Sequence, residues 1–430
     1  MAEAAAPGRY RVLSGFLWIV GGRLLAAFTQ ALTLVLVARG TEPERFGMVS
    51  AFMGAAIVLQ TTVDLGVSGY ALKVRAADAA DPLVALCVRI YRRLGGVLLS
   101  VLMAVGAGLA LIDRLPWWLF LPLGAGMAIE RQADMRLNLA VADGDTWKNS
   151  SVLVVRRLLT LILLAALAPL MGPVIAYGTG LIVGSVLSWA AGQRLIPVPV
   201  GGAGQPAAGD SDGSGAAERA TPLPRAGELL RAARPFWADS VMAQIRNLDA
   251  LIVTAVAPSA QAGYYGAISR SVSPLRMVGT SLASVMLPAA VKSGRADKQR
   301  MRRILLVLFA GLAIVYSLLG LSAGWWVVLL LGDGYAASVP GFRLLLLGLV
   351  LDGVSSVIGA VMLGSRLESV VAWSVTIASV LGLCLVAVGG ALHGATGAAA
   401  GLAASYVLQF AIMLAGGGHL FFGRDRGRHL

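Results

Sequence analysis

The chain has 430 residues, of which 57% are hydrophobic and only 13% are charged. A soluble domain carries about 25% charged residues, so this composition excludes an ordinary soluble enzyme or binding module. The formal net charge of +13 would suggest nucleic-acid binding in a soluble protein. Here the basic residues follow the ends of hydrophobic segments, which is typical of attraction to an anionic inner leaflet. We therefore expect a membrane protein without a nucleic-acid partner.

Twelve hydrophobic segments follow one another, and each approaches or exceeds the ~20 residues that a helix needs to cross a bilayer core. They are Ser14–Ala38, Phe46–Tyr70, Arg89–Ile112, Trp117–Val141, Ser151–Met171, Val174–Leu195, Arg234–Ala257, Gly263–Val291, Arg303–Leu331, Gly341–Leu363, Val370–Gly390 and Gly394–Gly417. Most of the 35 Lys and Arg residues lie on one side of this alternating series. Because cytoplasmic loops collect Lys and Arg, the pattern predicts twelve spans with both termini in the cytoplasm.

A polar segment from Ile196 to Pro224 separates the first six spans from the last six. Its Pro, Gly, Ala, Ser and Asp residues cannot bury enough apolar surface to fold. We expect two six-helix bundles, residues 1–195 and 225–430, joined by a flexible cytoplasmic linker over 196–224. The linker is predicted to tether the bundles rather than to recognise a partner.

An offset of 216 residues relates the first two spans of each half without a gap. Under this offset Arg23 corresponds to Asp239, and Gly47 corresponds to Gly263. Parallel repeats of this kind are a common plan in transporters. The predicted fold is an all-α polytopic membrane protein, with twelve transmembrane helices in two bundles related by a pseudo-two-fold axis along the membrane normal.

Polar residues recur inside several spans at helical spacing, where separations of i, i+7 and i+10 keep side chains on one face. On the first, second, seventh and eighth spans this grouping gives Arg23, Gln30, Thr33, Gln60, Asp64, Asp239, Arg246, Asp249, Ser269, Ser273, Arg276, Thr280 and Ser284. An ionised side chain near the bilayer centre costs ~2.5–3.5 kcal/mol, so exposure of these charges to lipid is excluded. We expect a water-filled cavity between the halves, lined by these four spans.

The candidate residues divide into two groups. Candidate substrate-binding residues of the cavity are Arg23, Gln30, Gln60, Arg246, Asn247, Arg270, Ser273, Arg276 and Thr280. Candidate coupling or gate residues are Asp64, Asp239 and Asp249. The arginines would give the cavity a cationic character that suits phosphate.

Structural explanations stay open for several of these side chains. Arg246 and Asp249 could neutralise each other, and Asp64 could cap a helix or pair with Lys73. Arg270 could extend to the membrane surface. The Ser and Thr stripe could serve helix packing, and Asp352 on the tenth span could bond a neighbouring helix.

Catalysis finds little support in the sequence. The three histidines, His393, His419 and His429, lie in loops or in the tail. Cys87 and Cys384 lie in or near spans and indicate neither a disulfide framework nor a thiolate metal site. The sequence has no Gly-rich lysine loop for ATP. We expect a transporter rather than an enzyme, without a cofactor or a bound metal.

Four stretches of sequence carry a family resemblance. They are "VARGTEPERFGMVSAF" at Val37–Phe52, "DLGVS" at Asp64–Ser68, "PFWADSVMAQIRNLDALIVTAVAPSAQAGYYGAISR" at Pro235–Arg270 and "LGDGY" at Leu331–Tyr335. In these stretches, and over essentially its whole length, the chain resembles the O-antigen and capsule flippases, the oligosaccharide flippase family of the multidrug/oligosaccharidyl-lipid/polysaccharide exporter superfamily. It departs at residues 40–43, Gly-Thr-Glu-Pro, where the family usually has Leu-Gly-Pro.

The resemblance implies two bundles around a V-shaped cavity that opens alternately to each side of a bacterial cytoplasmic membrane. It implies an oligosaccharide on a polyprenyl diphosphate as substrate, moved from the inner to the outer leaflet for lipopolysaccharide or capsule biosynthesis. Membrane lipids, a glycan polymerase and glycosyltransferases are the implied partners. Coupling to H⁺, Na⁺ or the membrane potential stays open.

The sequence leaves two other functions open. One is an ion-coupled drug antiporter of the same superfamily, although a cationic cavity repels cationic drugs. The other is a membrane enzyme or scaffold of glycan assembly.

The repeat also suggests an inner gate. Arg23 and Asp239 occupy equivalent positions in the cytoplasmic halves of the first and seventh spans. We hypothesise that they pair while the outer side is open, and separate when a phosphate group competes for Arg23. Asp239 and Asp249 are then candidates for coupling by protonation.

Overall fold

A computed structural model describes residues 9–112, 117–198, 226–281, 283, 298–365 and 367–417. These residues form α-helices, 3₁₀ turns and short connections, and no β-strand is found among them. Most of the predicted linker, Ser284 of the eighth-span stripe, His419 and His429 lie outside the described residues.

The described residues of the first half form seven α-helices. They are α1 Arg9–Arg39, α2 Pro43–Asp64, α3 Val67–Ala77, α4 Pro82–Ile112, α5 Leu121–Ala142, α6 Thr146–Met171 and α7 Pro173–Leu195. The second predicted span is thus divided into α2 and α3. The division falls at Leu65 and Gly66, whose φ angles of 51° and 77° are left-handed and end α2.

The described part of the second half contains seven labelled helices. They are α8 Ala226–Gln244, α9 Asp249–Val256, α10 Ser259–Ser271, α11 Lys298–Leu321, α12 Ala323–Leu331, α13 Val339–Gly364 and α14 Glu368–Gly417. A further helical stretch, residues 273–281, follows α10. The seventh span is interrupted by a 3₁₀ turn at Ile245–Leu248. The 50-residue α14 bends at His393 and Gly394 and so contains both the eleventh and the twelfth predicted spans.

Among the described residues, eight stretches of helix are long and apolar enough to cross a membrane. They are Gly21–Arg39, Pro43–Asp64, Pro82–Leu111, Thr146–Met171, Pro173–Leu195, Arg302–Leu321, Asp333–Leu363 and Glu368–Gly417. The fourth predicted span fails this criterion because four charged residues lie between Glu130 and Arg136. The seventh predicted span carries four charged residues, Arg234, Asp239, Arg246 and Asp249, and the eighth is described only as two short helical stretches, 259–271 and 273–281. The two-bundle layout of twelve helices is consistent with this structure.

The two halves meet at their predicted outer ends in a shared hydrophobic core. Tyr335 of the second half packs edge-on against Phe46 of the first, and its hydroxyl donates to the Thr41 carbonyl at 3.2 Å. Arg39 at the end of α1 donates to the Leu329 carbonyl at 2.9 Å. These contacts close the predicted outer side between the bundles.

Helices α2 and α10 cross closely enough that their backbones touch. A Cβ atom added to Gly47 would lie 2.8 Å from the backbone nitrogen of Gly263, and one added to Gly263 would overlap with the Pro43 carbonyl. One turn further on, a Cβ on Gly266 would lie 2.6 Å from the Ser50 hydroxyl oxygen. Gly47 with Gly263, and Ser50 with Gly266, are the pairs that the offset of 216 residues relates. Equivalent residues can contact each other only near a two-fold axis, so the crossing supports the predicted symmetry.

This crossing gives a stability prediction. Gly263→Ala should push α2 and α10 apart and lower the free energy of unfolding by about 1–3 kcal/mol, the usual cost of overpacking. The control is Gly311→Ala on α11, where an added Cβ meets no atom within 4 Å. Thermal unfolding of the two purified variants in detergent measures the difference. Equal midpoints would show that the backbone contact is dispensable.

Candidate functional site

A polar cluster inside the second bundle brings together side chains from four helical segments. Arg246 comes from the 3₁₀ turn, Arg276 from the stretch 273–281, Asp352 from α13, and Tyr406 and Gln409 from α14. The 3₁₀ turn in the seventh span places Arg246 beside α14. There the Arg246 Nη2 donates to Gln409 Oε1 at 2.6 Å. Both guanidinium groups lie over the Tyr406 ring, with Cζ 5.6 and 5.8 Å from its centroid.

Asp352 lies between the two arginines without a close bond to either. Its carboxylate oxygens are 4.0 Å from Arg246 Nη1 and 3.9 Å from Arg276 Nε. Both distances exceed those of a hydrogen bond. Two cations therefore share one loosely held carboxylate, and the buried Nε of Arg246 has no hydrogen-bond partner among the described residues. The cluster is a cationic site with unused donors, and the Arg276 side chain is 38% exposed and so can be reached.

Asp352 on the tenth span was expected to bond a neighbouring helix. It does lie near Arg246 and Arg276 of other helical segments, but neither distance is short enough for a hydrogen bond. Arginine guanidinium groups beside an aromatic ring suit a phosphate or diphosphate, which can accept bidentate hydrogen bonds. The same carboxylate could instead hold a cation if the arginines moved away.

Asp249 is satisfied within the second bundle. Its carboxylate accepts hydrogen bonds from the Tyr265 hydroxyl at 2.8 Å, from the Ser269 hydroxyl at 3.1 Å and from the Ala250 backbone at 2.7 Å. It forms no ion pair with Arg246 within 4.0 Å. The structural alternative of a mutually neutralising Arg246–Asp249 pair is therefore wrong.

The expected single polar face of the seventh span is also wrong. Asp239 is exposed, Arg246 is half-buried and Asp249 is buried. The spacing argument holds only for an uninterrupted α-helix, and the 3₁₀ turn lies between these residues. Thr33, predicted on the polar face of α1, is buried and donates to the Thr29 carbonyl at 2.7 Å.

Asp64 pairs with Arg131 on α5 rather than with Lys73. The distance from Arg131 Nη2 to Asp64 Oδ2 is 2.7 Å, and the same carboxylate accepts hydrogen bonds from Ser68. Gln60 donates to the Met127 carbonyl at 2.9 Å. Both side chains therefore join α2 to α5 inside the first bundle.

Arg270 and Asn247 lie where the two bundles touch. Arg270 is buried and donates to the Ser50 carbonyl at 3.0 Å, so it does not extend to the membrane surface. Asn247 donates to the Gln244 carbonyl at 3.0 Å, and its own carbonyl faces the position where Gly54 has no side chain. Their contacts are those of an interface between the bundles.

The other candidates have fewer contacts. Arg23 and Asp239 are exposed, and neither has an ion pair or hydrogen bond with another described residue. Ser273 and Thr280 are exposed on the eighth span, with their hydroxyl groups bonded to carbonyls of the same helix. Gln30 lies close to the Tyr177 hydroxyl.

The sequence analysis missed a second charged cluster, in the first bundle. Arg156 is 1% exposed, with Nη2 2.8 Å from Asp134 Oδ1 and 3.3 Å from Glu130 Oε1. Arg157 also donates to Glu130. The four residues connect α5 to α6. The signal was present, because Glu130 and Asp134 are spaced i, i+4 on a hydrophobic segment and need cationic partners.

Comparison with solved structures identifies the fold. The chain is similar to the lipid II flippase MurJ in an inward closed conformation, with a TM-score of 0.68 and 13% identity over 92% of this chain and 86% of that one. It is similar to a multidrug resistance MATE family transporter of the MOP superfamily in its inward-facing conformation, with a TM-score of 0.70 and 14% identity over 92% and 94%. An outward-facing MATE transporter matches with a TM-score of 0.62 and 15% identity over 94% and 95%. No family model matches the sequence, and no curated protein matches it significantly.

At this level of identity the similarity shows the fold alone, which this chain shares with the lipid II flippase and the MATE transporters. The predicted all-α, multi-pass membrane architecture is confirmed. The similar structures are transporters and a flippase rather than enzymes.

Proposed function

We propose that this protein is a flippase that carries an oligosaccharide on a polyprenyl diphosphate from the inner to the outer leaflet of a bacterial cytoplasmic membrane. It would serve the biosynthesis of a cell-surface polysaccharide, with glycosyltransferases and a glycan polymerase as functional partners. The observation that carries the proposal is the cluster of Arg246 and Arg276 around a single loosely held carboxylate. A diphosphate supplies the negative charge that this cluster lacks.

Alternating access is supported by the closure of the bundles at their predicted outer ends. Tyr335, Thr41 and Arg39 join the halves there. Opening the outer side requires these contacts to break, and a substrate with differential affinity for the two states can drive that change. On the predicted cytoplasmic side the halves are also in contact, because Trp237 on α8 donates from Nε1 to the Thr62 carbonyl of α2 at 3.0 Å.

The experiment is a flipping assay in proteoliposomes. The probe is a polyprenyl diphosphate that carries a fluorescently labelled disaccharide, and a membrane-impermeant reductant bleaches only the label in the outer leaflet. We expect the protein to increase the fraction of bleachable probe over protein-free vesicles. The same sugar on an uncharged polyprenol is the control for the diphosphate. Equal rates for the two probes, or no rate above the protein-free background, would contradict the proposal.

A second candidate is the ion-coupled export of a small molecule. Two observations favour it: the fold is equally that of MATE transporters, and Asp249 and Asp352 are buried carboxylates inside a bundle. A carboxylate in such a place can bind a proton or a cation. Efflux of ethidium from the same vesicles under a proton or sodium gradient tests this function directly. If ethidium moves and the polyprenyl diphosphate probe does not, the antiporter function replaces the flippase function.

The Arg23–Asp239 gate gives a charge-swap prediction. The two side chains are unpaired here among the described residues, in a state whose outer side is closed, and the hypothesis predicts separation in that state. Arg23→Asp and Asp239→Arg should each impair transport, because each places like charges opposite each other at the narrowing inner mouth. The double swap should restore part of the rate.

The flipping assay measures all three variants. A matched control combines Arg23→Asp with Glu42→Arg, which preserves net charge but changes an exposed residue at the predicted outer end. This control should not recover activity. If the Arg23 and Asp239 double swap is no better than the worse single variant, the gate hypothesis fails.

A further inference from the structure

Helix α4 extends beyond the membrane on the predicted cytoplasmic side. Its 31 residues span about 46 Å, compared with a hydrocarbon core of about 30 Å. The helix has no charged residue from Leu94 to Ile112, whereas its first turns carry Arg89, Arg92 and Arg93. The hydrocarbon core therefore begins close to Arg92, and this arginine lies at the level of lipid headgroups.

A groove of about 280 Å³ opens beside Arg92 on the outer surface of the first bundle. Its walls come from α4, α5 and α7, and the residues used below are Gly96, Leu99, Gln132 and Trp189. A side chain at Gly96 would meet nothing within 4 Å, so this wall is open. Leu99 and Trp189 are 38% and 40% exposed. The groove thus faces the lipid, and an exposed Trp at this level is typical of a membrane interface.

Arg92 lines the groove and Arg136 lies nearby, and neither has an acidic partner within 4.0 Å among the described residues. Arg92 is exposed and has no hydrogen bond or ion pair with another described residue. Arg136 on α5 is near enough for the two guanidinium groups to repel each other. Its Nη1 donates only to the Ile196 carbonyl at the end of α7, at 3.2 Å. The C-terminal end of α7 carries a partial negative charge that stabilises the Arg136 guanidinium. Arg92 has no such partner.

Two acids at α5 and its C-terminal end, Asp134 and Asp143, are paired with other arginines. Asp143 forms an ion pair with Arg75 at 2.7 Å, and Asp134 forms one with the buried Arg156 at 2.8 Å. The positive charge beside the groove therefore has no counter-charge among the described residues of the protein. A headgroup phosphate of the surrounding leaflet is the nearest anion that can supply one.

We propose that this groove is a binding site for an anionic phospholipid of the leaflet on the predicted cytoplasmic side. The phosphate would lie between Arg92 and Arg136, with the Gln132 amide beside the polar part of the headgroup. The acyl chains would run past Gly96 and Leu99, where the groove is apolar. Free phosphate lacks the chains that would fill this part, so the occupant is a lipid. The site lies outside the second-bundle cluster and does not depend on the transported substrate.

Native mass spectrometry of the purified full chain can test the site. The probes are dioleoyl phosphatidylglycerol and dioleoyl phosphatidylcholine, which share their acyl chains and differ in headgroup charge. We expect Arg92→Gln to weaken binding of phosphatidylglycerol about tenfold or more, as the loss of one charge-assisted contact implies. Phosphatidylcholine carries the same phosphate, but its choline group cancels the net charge, so its binding should start weaker and change less. Arg92→Lys should retain most of the phosphatidylglycerol affinity, because a point charge still attracts the phosphate.

The matched control is Arg93→Gln, which removes the adjacent exposed arginine that does not line the groove. It should bind phosphatidylglycerol as the wild type does. Thermal unfolding in a zwitterionic detergent establishes that each variant is folded. Unchanged phosphatidylglycerol binding by Arg92→Gln, or an equal loss in Arg93→Gln, would overturn the proposal in favour of a diffuse attraction to the charged surface.

Discussion

Replacing Arg156 by methionine is expected to lower the free energy of unfolding by about 1.5–3 kcal/mol, because it removes a charge-assisted hydrogen bond to Asp134, whose side chain is 32% exposed and so keeps part of its hydration. Arg156 is 1% exposed and lies 2.8 Å from Asp134 and 3.3 Å from Glu130. Methionine fills much of the same volume but leaves Asp134 without its cation inside the bundle. The midpoint of thermal unfolding in detergent, measured at equal protein concentration, should fall clearly below that of the wild type.

Two controls separate the buried charge from the packing of the side chain. Arg157→Met removes a partner of Glu130 only, and Glu130 retains Arg156, so its effect should be smaller. Combining Arg156→Met with Asp134→Asn removes the orphaned charge and should recover part of the lost stability. If Arg156→Met unfolds at the wild-type temperature, the network between α5 and α6 contributes nothing to stability.

Much of the fold could be predicted because the physical constraint on a membrane helix is local. Length and hydropathy define where a helix can span, and loop arginines indicate its orientation. The repeat offset also carried three-dimensional information, since Gly47 and Gly263 touch where α2 and α10 cross. Two glycines at equivalent positions allow backbones to approach closely, and this requirement leaves a mark in the sequence.

The site was less predictable because it depends on interruptions and on contacts across helices. The spacing of Asp239, Arg246 and Asp249 presupposed a continuous helix, and the turn at Ile245–Leu248 removes that premise. The position of Asp352 between two arginines follows from how α13 packs, which hydropathy does not encode. Asp352 carried no periodic pattern on its own span, so only the packing reveals its partners.

Similarly, a charge inside a span was a sound indication of a polar partner but a poor indication of a cavity. Asp64 and Arg270 were expected to line the space between the halves. Asp64 instead joins α2 to Arg131 on α5, and Arg270 bonds the backbone of the opposite bundle. The cost of an unpaired charge in lipid requires some compensation. Periodicity alone does not show whether water, substrate or protein provides it.

The Arg246→Gln, Arg276→Gln double variant should lose nearly all flipping of the polyprenyl diphosphate probe. Each charge-assisted contact contributes about 1.5–3 kcal/mol, so the pair accounts for a loss of roughly a hundredfold or more. Glutamine keeps polar atoms and similar length but removes both charges. The Arg→Lys double variant should retain part of the rate, because lysine restores charge without the bidentate geometry. Arg302→Gln on α11, an exposed arginine outside the cluster, is the control and should flip normally.

Asp352→Asn should have the opposite effect on binding, and this sign separates the two candidate functions. For a flippase, Asp352 is the internal anion that a diphosphate displaces from Arg246 and Arg276. Removing its charge should tighten binding of undecaprenyl diphosphate, measured as a larger ligand-induced rise in the unfolding temperature. For a cation-coupled antiporter, Asp352 is the binding carboxylate, so the same change should abolish ethidium efflux and leave diphosphate without effect. If Asp352→Asn binds the diphosphate more weakly and the arginine double variant binds it fully, the cluster of Arg246, Arg276 and Asp352 does not bind the substrate.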